Sequence, residues 1–116
     1  MKHNLGDKAR IIHVIEAIEN IETILSEVTF EAFATNLEKK FAIERLLEII
    51  GEATNHISED ILYNDKTSTP WKQIIATRNI ISHEYFRVDL KMLYQIATAE
   101  MIPLKKDIQT ILKDLD

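Results

Sequence analysis

WKQIIATRNIISHEYFRVD, Trp71 to Asp89, is the stretch whose parsing decides the fold. It follows the clearest loop in the chain, NDKTSTP from Asn64 to Pro70, which is polar and ends with a proline suited to a helix first turn. A helix is therefore expected from about Pro70 or Trp71 to about Ser82. The short link EYFRV comes next, and Asp89 is a good N-cap for another helix. The stretch thus reads as helix, brief link, helix, with arginine, asparagine, serine, histidine and tyrosine gathered at the join.

Working outward, the helix opened by Asp89 continues to about Leu115. Its apolar stripe is Leu90, Leu93, Ala97, Met101, Leu104, Ile108, Ile111 and Leu115, in steps of three and four. Pro103 lies inside it and should kink or split it, because proline removes a hydrogen bond and crowds the preceding turn. A first helix is expected from about Asp7, a candidate N-cap, to Leu25, with Ile11, Val14, Ile15, Ile18, Ile21 and Leu25 inward. Glu16, Glu19 and Glu22 fall on its other sides. A short segment follows at Thr29–Thr35, where Thr29 could cap and Phe30 and Phe33 could plug the core. The second long helix spans about Asn36 to His56, with Leu37, Phe41, Leu46, Ile49, Ile50, Ala53 and Ile57 as its inward side. Gly51 in mid-helix costs about 1 kcal/mol against alanine and suggests a closely packed backbone there, though a tolerated defect is equally simple. No strand-like alternation, repeat or linker is visible. The expectation is a single all-α domain over residues 1–116: an up-down bundle of four main helices plus a short one, the last kinked near Pro103.

Composition agrees. Of 116 residues only two are glycine and two proline, while 28% are charged and 46% hydrophobic. One domain of this size buries roughly two thirds of the surface its unfolded chain exposes. That supports one core without a deep cleft, so a functional site should be shallow or shared between subunits. There is no cysteine, which removes disulfides, thiolate metal sites and thiol catalysis. The N-terminus MKHNLGDKAR lacks a signal-peptide core and no apolar run approaches a membrane span, so a cytoplasmic protein is the expectation. The formal charge of -5 argues against a broad electrostatic grip on nucleic acid, which scales with phosphates neutralised, but leaves room for a local basic pocket.

The chemistry-bearing constellation is Arg78, Asn79, Ser82, His83 and Tyr85. Arg78 and Ser82 share a helix face, as do Asn79 and His83. Arg78 and His83 stand about 140° apart on an ideal helix, so they converge only if the last turn loosens near Ser82 or Arg78 reaches around. A histidine can move a proton, and an arginine can hold phosphate in a two-pronged grip. Together they are the minimum for cutting RNA without metal. The imidazole takes the ribose 2′-OH proton, and the guanidinium stabilises charge building on phosphorus oxygens. The plain structural alternative pairs Arg78 with a second-helix glutamate and lets His83 cap the helix dipole.

RNIISHEY, Arg78 to Tyr85, matches the Arg-x4-His-x-Tyr motif, and AIERLLEIIGEA, Ala42 to Ala53, resembles a helix-two signature of the same family. In these two segments, in this order, the chain resembles the HepT-like toxins of the HEPN ribonuclease superfamily, over essentially its whole length. The resemblance implies a HEPN fold and a homodimer or higher even oligomer whose motifs meet at the interface. It also implies RNA as substrate and an MntA-type minimal nucleotidyltransferase as antitoxin, which transfers AMP to the motif tyrosine. By position the catalytic roles fall on Arg78 and His83 and the AMP acceptor on Tyr85. Asn79, Ser82 and Glu52 are expected in support, and no cofactor is implied. Glu84 stands where many relatives carry a small residue such as glycine, and adds negative charge beside the site.

Other residues invite weaker readings. Glu44, Glu48, Glu52, His56 and Asp60 recur every four residues and could line a metal site, but the paired Glu-x-x-His pattern of carboxylate-bridged centres is missing. A polar face or dimer seam is the simpler account, and no metal is expected. His3 and His13 read as structural or solvated. Trp71 reads as a core anchor and Tyr63 as a loop anchor. Lys72 and Arg87 flank the motif and could touch RNA phosphates, though exposed basic residues usually face only water. Two further functions compete with an RNA-cutting toxin. One is a catalytically weak HEPN module that binds nucleotide or RNA or scaffolds a nucleotidyltransferase; the other is a plain helical oligomerisation protein.

Overall fold

A computed structural model describes residues 5–83 and 89–115, with the side chains of residues 5, 78–80, 82 and 83 outside the description. The elements are α1 (Leu5–Ile24), α2 (Phe30–Ala34), α3 (Leu37–Asn55), α4 (Glu59–Leu62), α5 (Trp71–His83), α6 (Leu90–Gln95), a π-helical turn (Ile96–Glu100) and α7 (Met101–Leu115). Among the described residues there is no strand, and no helix is long and apolar enough to cross a membrane. The fold is all-α, as the sequence led one to expect.

The core lies among α1, α3, α5 and the rod formed by α6, the π turn and α7. α3 packs against both α1 and α5, and α1 also packs against α7. Ile11, Val14, Ile18 and Ile21 of α1 are fully buried and meet Ile43, Leu47 and Ile50 of α3 and Leu93, Leu104 and Ile108 of the rod in one cluster. Gly51 is buried on α3. At its far end α1 closes through Glu27, whose φ of 57° lies in the left-handed region that glycine usually fills.

The rod carries the expected stripe. Leu93, Ala97, Met101, Leu104, Ile108 and Ile111 are buried, with Leu90 and Leu115 half-buried. Two consecutive steps of four, Leu93 to Ala97 to Met101, would drift off the core face of a pure α-helix by about 40° each at ~100° per residue. The π turn absorbs that drift. It also lies just before Pro103, where an α-helix would drive the ring against the carbonyl four residues back. The expected disruption near Pro103 therefore takes the form of a π turn.

Side-chain caps mark the starts of α2, α3 and α6. Thr29 accepts from the Ala32 amide, Asn36 from the Lys39 amide and Asp89 from the Lys91 amide. Behind Thr29, Phe33 is fully buried and Tyr94 packs on both Phe30 and Phe33 while donating to the Val28 carbonyl at 2.6 Å. Two expectations need correction. Asp7 is not the cap of α1, since it lies inside the helix; its buried carboxylate accepts from the Ser58 amide and hydroxyl at 3.0 and 2.8 Å, tying α1 to the entry of α4. Leu37 and Phe41 do not face inward: they are 63% and 55% exposed, because the first turns of α3 overhang the core, and Lys40 lies over the Phe41 ring. The buried face is Ile43, Leu47, Ile50, Gly51 and Thr54, and the expected Leu46, Ile49 and Ala53 are half-buried against the core. The second long helix spans Leu37–Asn55 with Asn36 and His56 as its caps, as expected, and the short helix α4 follows before the loop.

Candidate functional site

The helix that carries the motif is fixed firmly at its start. Trp71, 2% exposed, donates its indole N–H to the Leu62 carbonyl at 3.0 Å, and Thr67 donates to the same oxygen at 3.1 Å. Pro70 precedes the first helical residue, and its carbonyl accepts from the amides of Gln73 and Ile74. Asp107 on α7 holds the loop in front of it, accepting from the amides of Ser68 and Thr69 and from the Thr69 hydroxyl. Nothing in the sequence marks Asp107 for this role, because the loop it serves is 38 residues away. Trp71, Ile74 and Ile81 then bury one side of α5 against the core.

Arg78, Asn79, Ser82 and His83 all lie on the last turns of α5, and the helix continues unbroken to His83. It does not loosen at Ser82. The backbone registers of Arg78 and His83 therefore stay about 140° apart at ~100° per residue. Arg78 is seven residues beyond buried Trp71, so the two share one arc. His83 is seven residues beyond Ala76 and eleven beyond Lys72, both exposed, so those three share another. Tyr85, with Glu84 and Arg87, lies outside the described residues.

Glu52 is exposed on α3, the helix packed against α5. His56 donates from Nδ1 to the Glu52 carbonyl at 2.9 Å and forms the C-cap of α3. The acidic stripe is consequently broken: Asp60 belongs to α4, Glu44 pairs with Lys40 at 2.8 Å, and Glu48 lies 4.0 Å from Arg45. Among the described residues no three histidine, aspartate or glutamate side chains gather as metal ligands. Tyr63 is 49% exposed at the start of the loop.

Two further features escape a reading of the sequence. A groove of about 280 Å³ runs beside the first half of α5, lined by Thr69, Pro70, Ile74, Glu100, Pro103 and Leu104. Deeper in, Ile74 and Thr77 of α5 line a small gap together with Leu47 and Ile50 of α3 and Ile96 and Met101 at the two ends of the π turn. The sequence of α5, WKQIIATRNIISH, has no acidic residue, although the whole chain holds 19 and carries a charge of -5.

Comparison with known proteins fits this picture. A family model described as "Ribonuclease HepT-like" matches residues 14–111, a span that includes both α3 and the whole of Arg78–Tyr85. A Thermococcus cleftensis protein named "Probable ribonuclease HepT" is 34% identical over 100 residues, covering 86% of this chain and 90% of its own. Two Methanocaldococcus jannaschii proteins, each named "Putative RNase", are 30% and 31% identical. The first match covers 90% of this chain and 94% of the relative, and the second 94% and 89%. No solved structure matches.

Proposed function

The chain belongs to the HepT-like ribonuclease family, and from that premise we propose that it is a metal-independent endoribonuclease acting as the toxin of a toxin–antitoxin pair in the cytoplasm. The observation that carries this reading is the position of Arg78 and His83 on one uninterrupted helix inside the family match. His83 removes the proton of a ribose 2′-OH. The 2′ oxygen attacks the adjacent phosphorus, the bond to the 5′ oxygen breaks, and that oxygen takes up a proton. Arg78 neutralises the charge on the non-bridging oxygens, a contribution typically worth a few kcal/mol. Asn79, Ser82 and Glu52 support the site.

The helix geometry favours a site shared between two copies. Arg78 and His83 lie on separate arcs of α5, so opposing motifs of a homodimer supply an arginine to one side of the RNA and a histidine to the other. Two histidines in one cleft also provide both the base and the acid that the reaction needs. Tyr85 is the control point. A minimal nucleotidyltransferase of the MntA type presents ATP, the tyrosine oxygen attacks the α-phosphorus, and pyrophosphate leaves. The attached AMP brings a phosphodiester to Arg78 and a purine to the shared cleft, displacing RNA by charge and by bulk.

The test is incubation of end-labelled RNA with the purified chain in EDTA, followed by end-group analysis. Cleavage yielding 2′,3′-cyclic phosphate and 5′-hydroxyl ends is expected. Tight RNA or nucleotide binding without cleavage would instead establish a catalytically inactive HEPN module, and loss of cleavage in EDTA would return attention to the acidic face of α3.

A further inference from the structure

We infer that Lys72 forms a second phosphate-binding subsite for RNA, one end of a track that runs along α5 to His83. The inference rests on the ribonuclease reading above and adds to it how the substrate lies. Lys72, Ala76, Asn79 and His83 follow one another at steps of four, three and four, so their backbone positions form a single straight stripe on α5. Where that stripe is described, it is solvent-facing: Lys72 and Ala76 are exposed. Lys72 makes no ion pair among the described residues. Its helix carries no acidic side chain to compete for the ammonium, in a chain that otherwise has more acids than bases. Of the two carboxylates near the start of α5 among the described residues, Asp107 is already taken by three donors from the Ser68–Thr69 loop, and Glu100 lies in the groove lined by Pro70 and Ile74, which the stripe does not include.

The geometry suits a strand rather than a single nucleotide. Eleven helical residues separate Lys72 from His83, about 16 Å along the axis at 1.5 Å per residue. That distance places the Lys72 phosphate about three to five nucleotides from the cut, between an extended and a stacked strand, whose rise is about 3.4 Å. Ala76 stands midway and has no side chain long enough to hold the strand away from the helix. In a two-fold pair whose motifs meet at the axis, the two Lys72 side chains lie at the outer ends of the shared cleft. The substrate this track fits is single-stranded RNA several nucleotides long, with the outer contact made to phosphate and carrying no base preference.

The test compares wild type, Lys72→Gln and Lys72→Arg on a labelled twelve-nucleotide RNA and on a trinucleotide. Lys72→Gln should raise KM on the long RNA about 3–10-fold with kcat unchanged and lower the slope of log KM against log salt by about 0.7, the value for one single-strand phosphate contact. Lys72→Arg should restore KM, and the trinucleotide should be cut equally by all three. If Lys72→Gln leaves KM and the salt slope on the long RNA unchanged, or lowers kcat on both substrates alike, the subsite is wrong while the ribonuclease reading stands. If wild type cuts neither substrate, the ribonuclease reading fails and the subsite falls with it.

Discussion

The indole N–H of Trp71 donates to the backbone carbonyl of Leu62 across the loop that separates α4 from α5. This bond joins the first residue of the motif helix to the last residue of the helix before it, inside the core. Trp71→Ala should therefore cost about 3–5 kcal/mol, the range for removing a large buried aromatic. Trp71→Phe should cost less, because the Leu62 carbonyl keeps the Thr67 hydroxyl as a donor. Urea unfolding measures both, and an unchanged midpoint in Trp71→Ala would contradict the anchoring role.

Thr54 is fully buried on α3, and its hydroxyl oxygen has no hydrogen-bond partner among the described residues. Burying a hydroxyl without a partner is unfavourable, whereas a valine of the same shape carries no such penalty. Thr54→Val should leave stability unchanged or raise it by up to about 1 kcal/mol. A loss of more than that in thermal unfolding would mean that the hydroxyl is bonded in solution.

The long periodic elements were legible because burial repeats with the helix. The stripe from Leu90 to Leu115 and the inward face of α1 follow directly from their spacing. Periodicity says nothing about where a core stops, which is why Leu37 and Phe41 read as inward yet overhang it. Asp7 read as a local cap, but its partners lie 51 residues away at Ser58, a pairing no local rule contains. α4 is only four residues long and too short for a period, although Ser58 followed by two acids is a helix-start signal. The π turn is hinted at by Pro103 and by the double step of four. The placement of Arg78 and His83 at the end of a helix was legible from the motif and the following link. Their mutual register was legible too, but the continuity of α5 through Ser82 was not.

A shared site requires a second copy. Light scattering at micromolar concentration should give a homodimer or a larger even assembly. A strict monomer that still cleaves RNA would remove the shared cleft and require Arg78 to reach His83 within one chain.

Tyr85→Phe should keep the fold and escape neutralisation by a co-expressed nucleotidyltransferase. Intact mass and peptide mapping after incubation with that partner and ATP should show one adenylyl group on Tyr85 in the wild type. An adenylyl group on another residue, or none while toxicity is still suppressed, would overturn the tyrosine switch.

The central claim is that His83 moves the proton in RNA cleavage. The direct measurement is RNA cleavage by purified His83→Ala, with helical content and unfolding followed by circular dichroism alongside. The expected result is a folded bundle with wild-type helicity and cleavage reduced by at least about 100-fold, as for removal of a general base. A folded His83→Ala protein that cuts RNA at the wild-type rate would contradict the account.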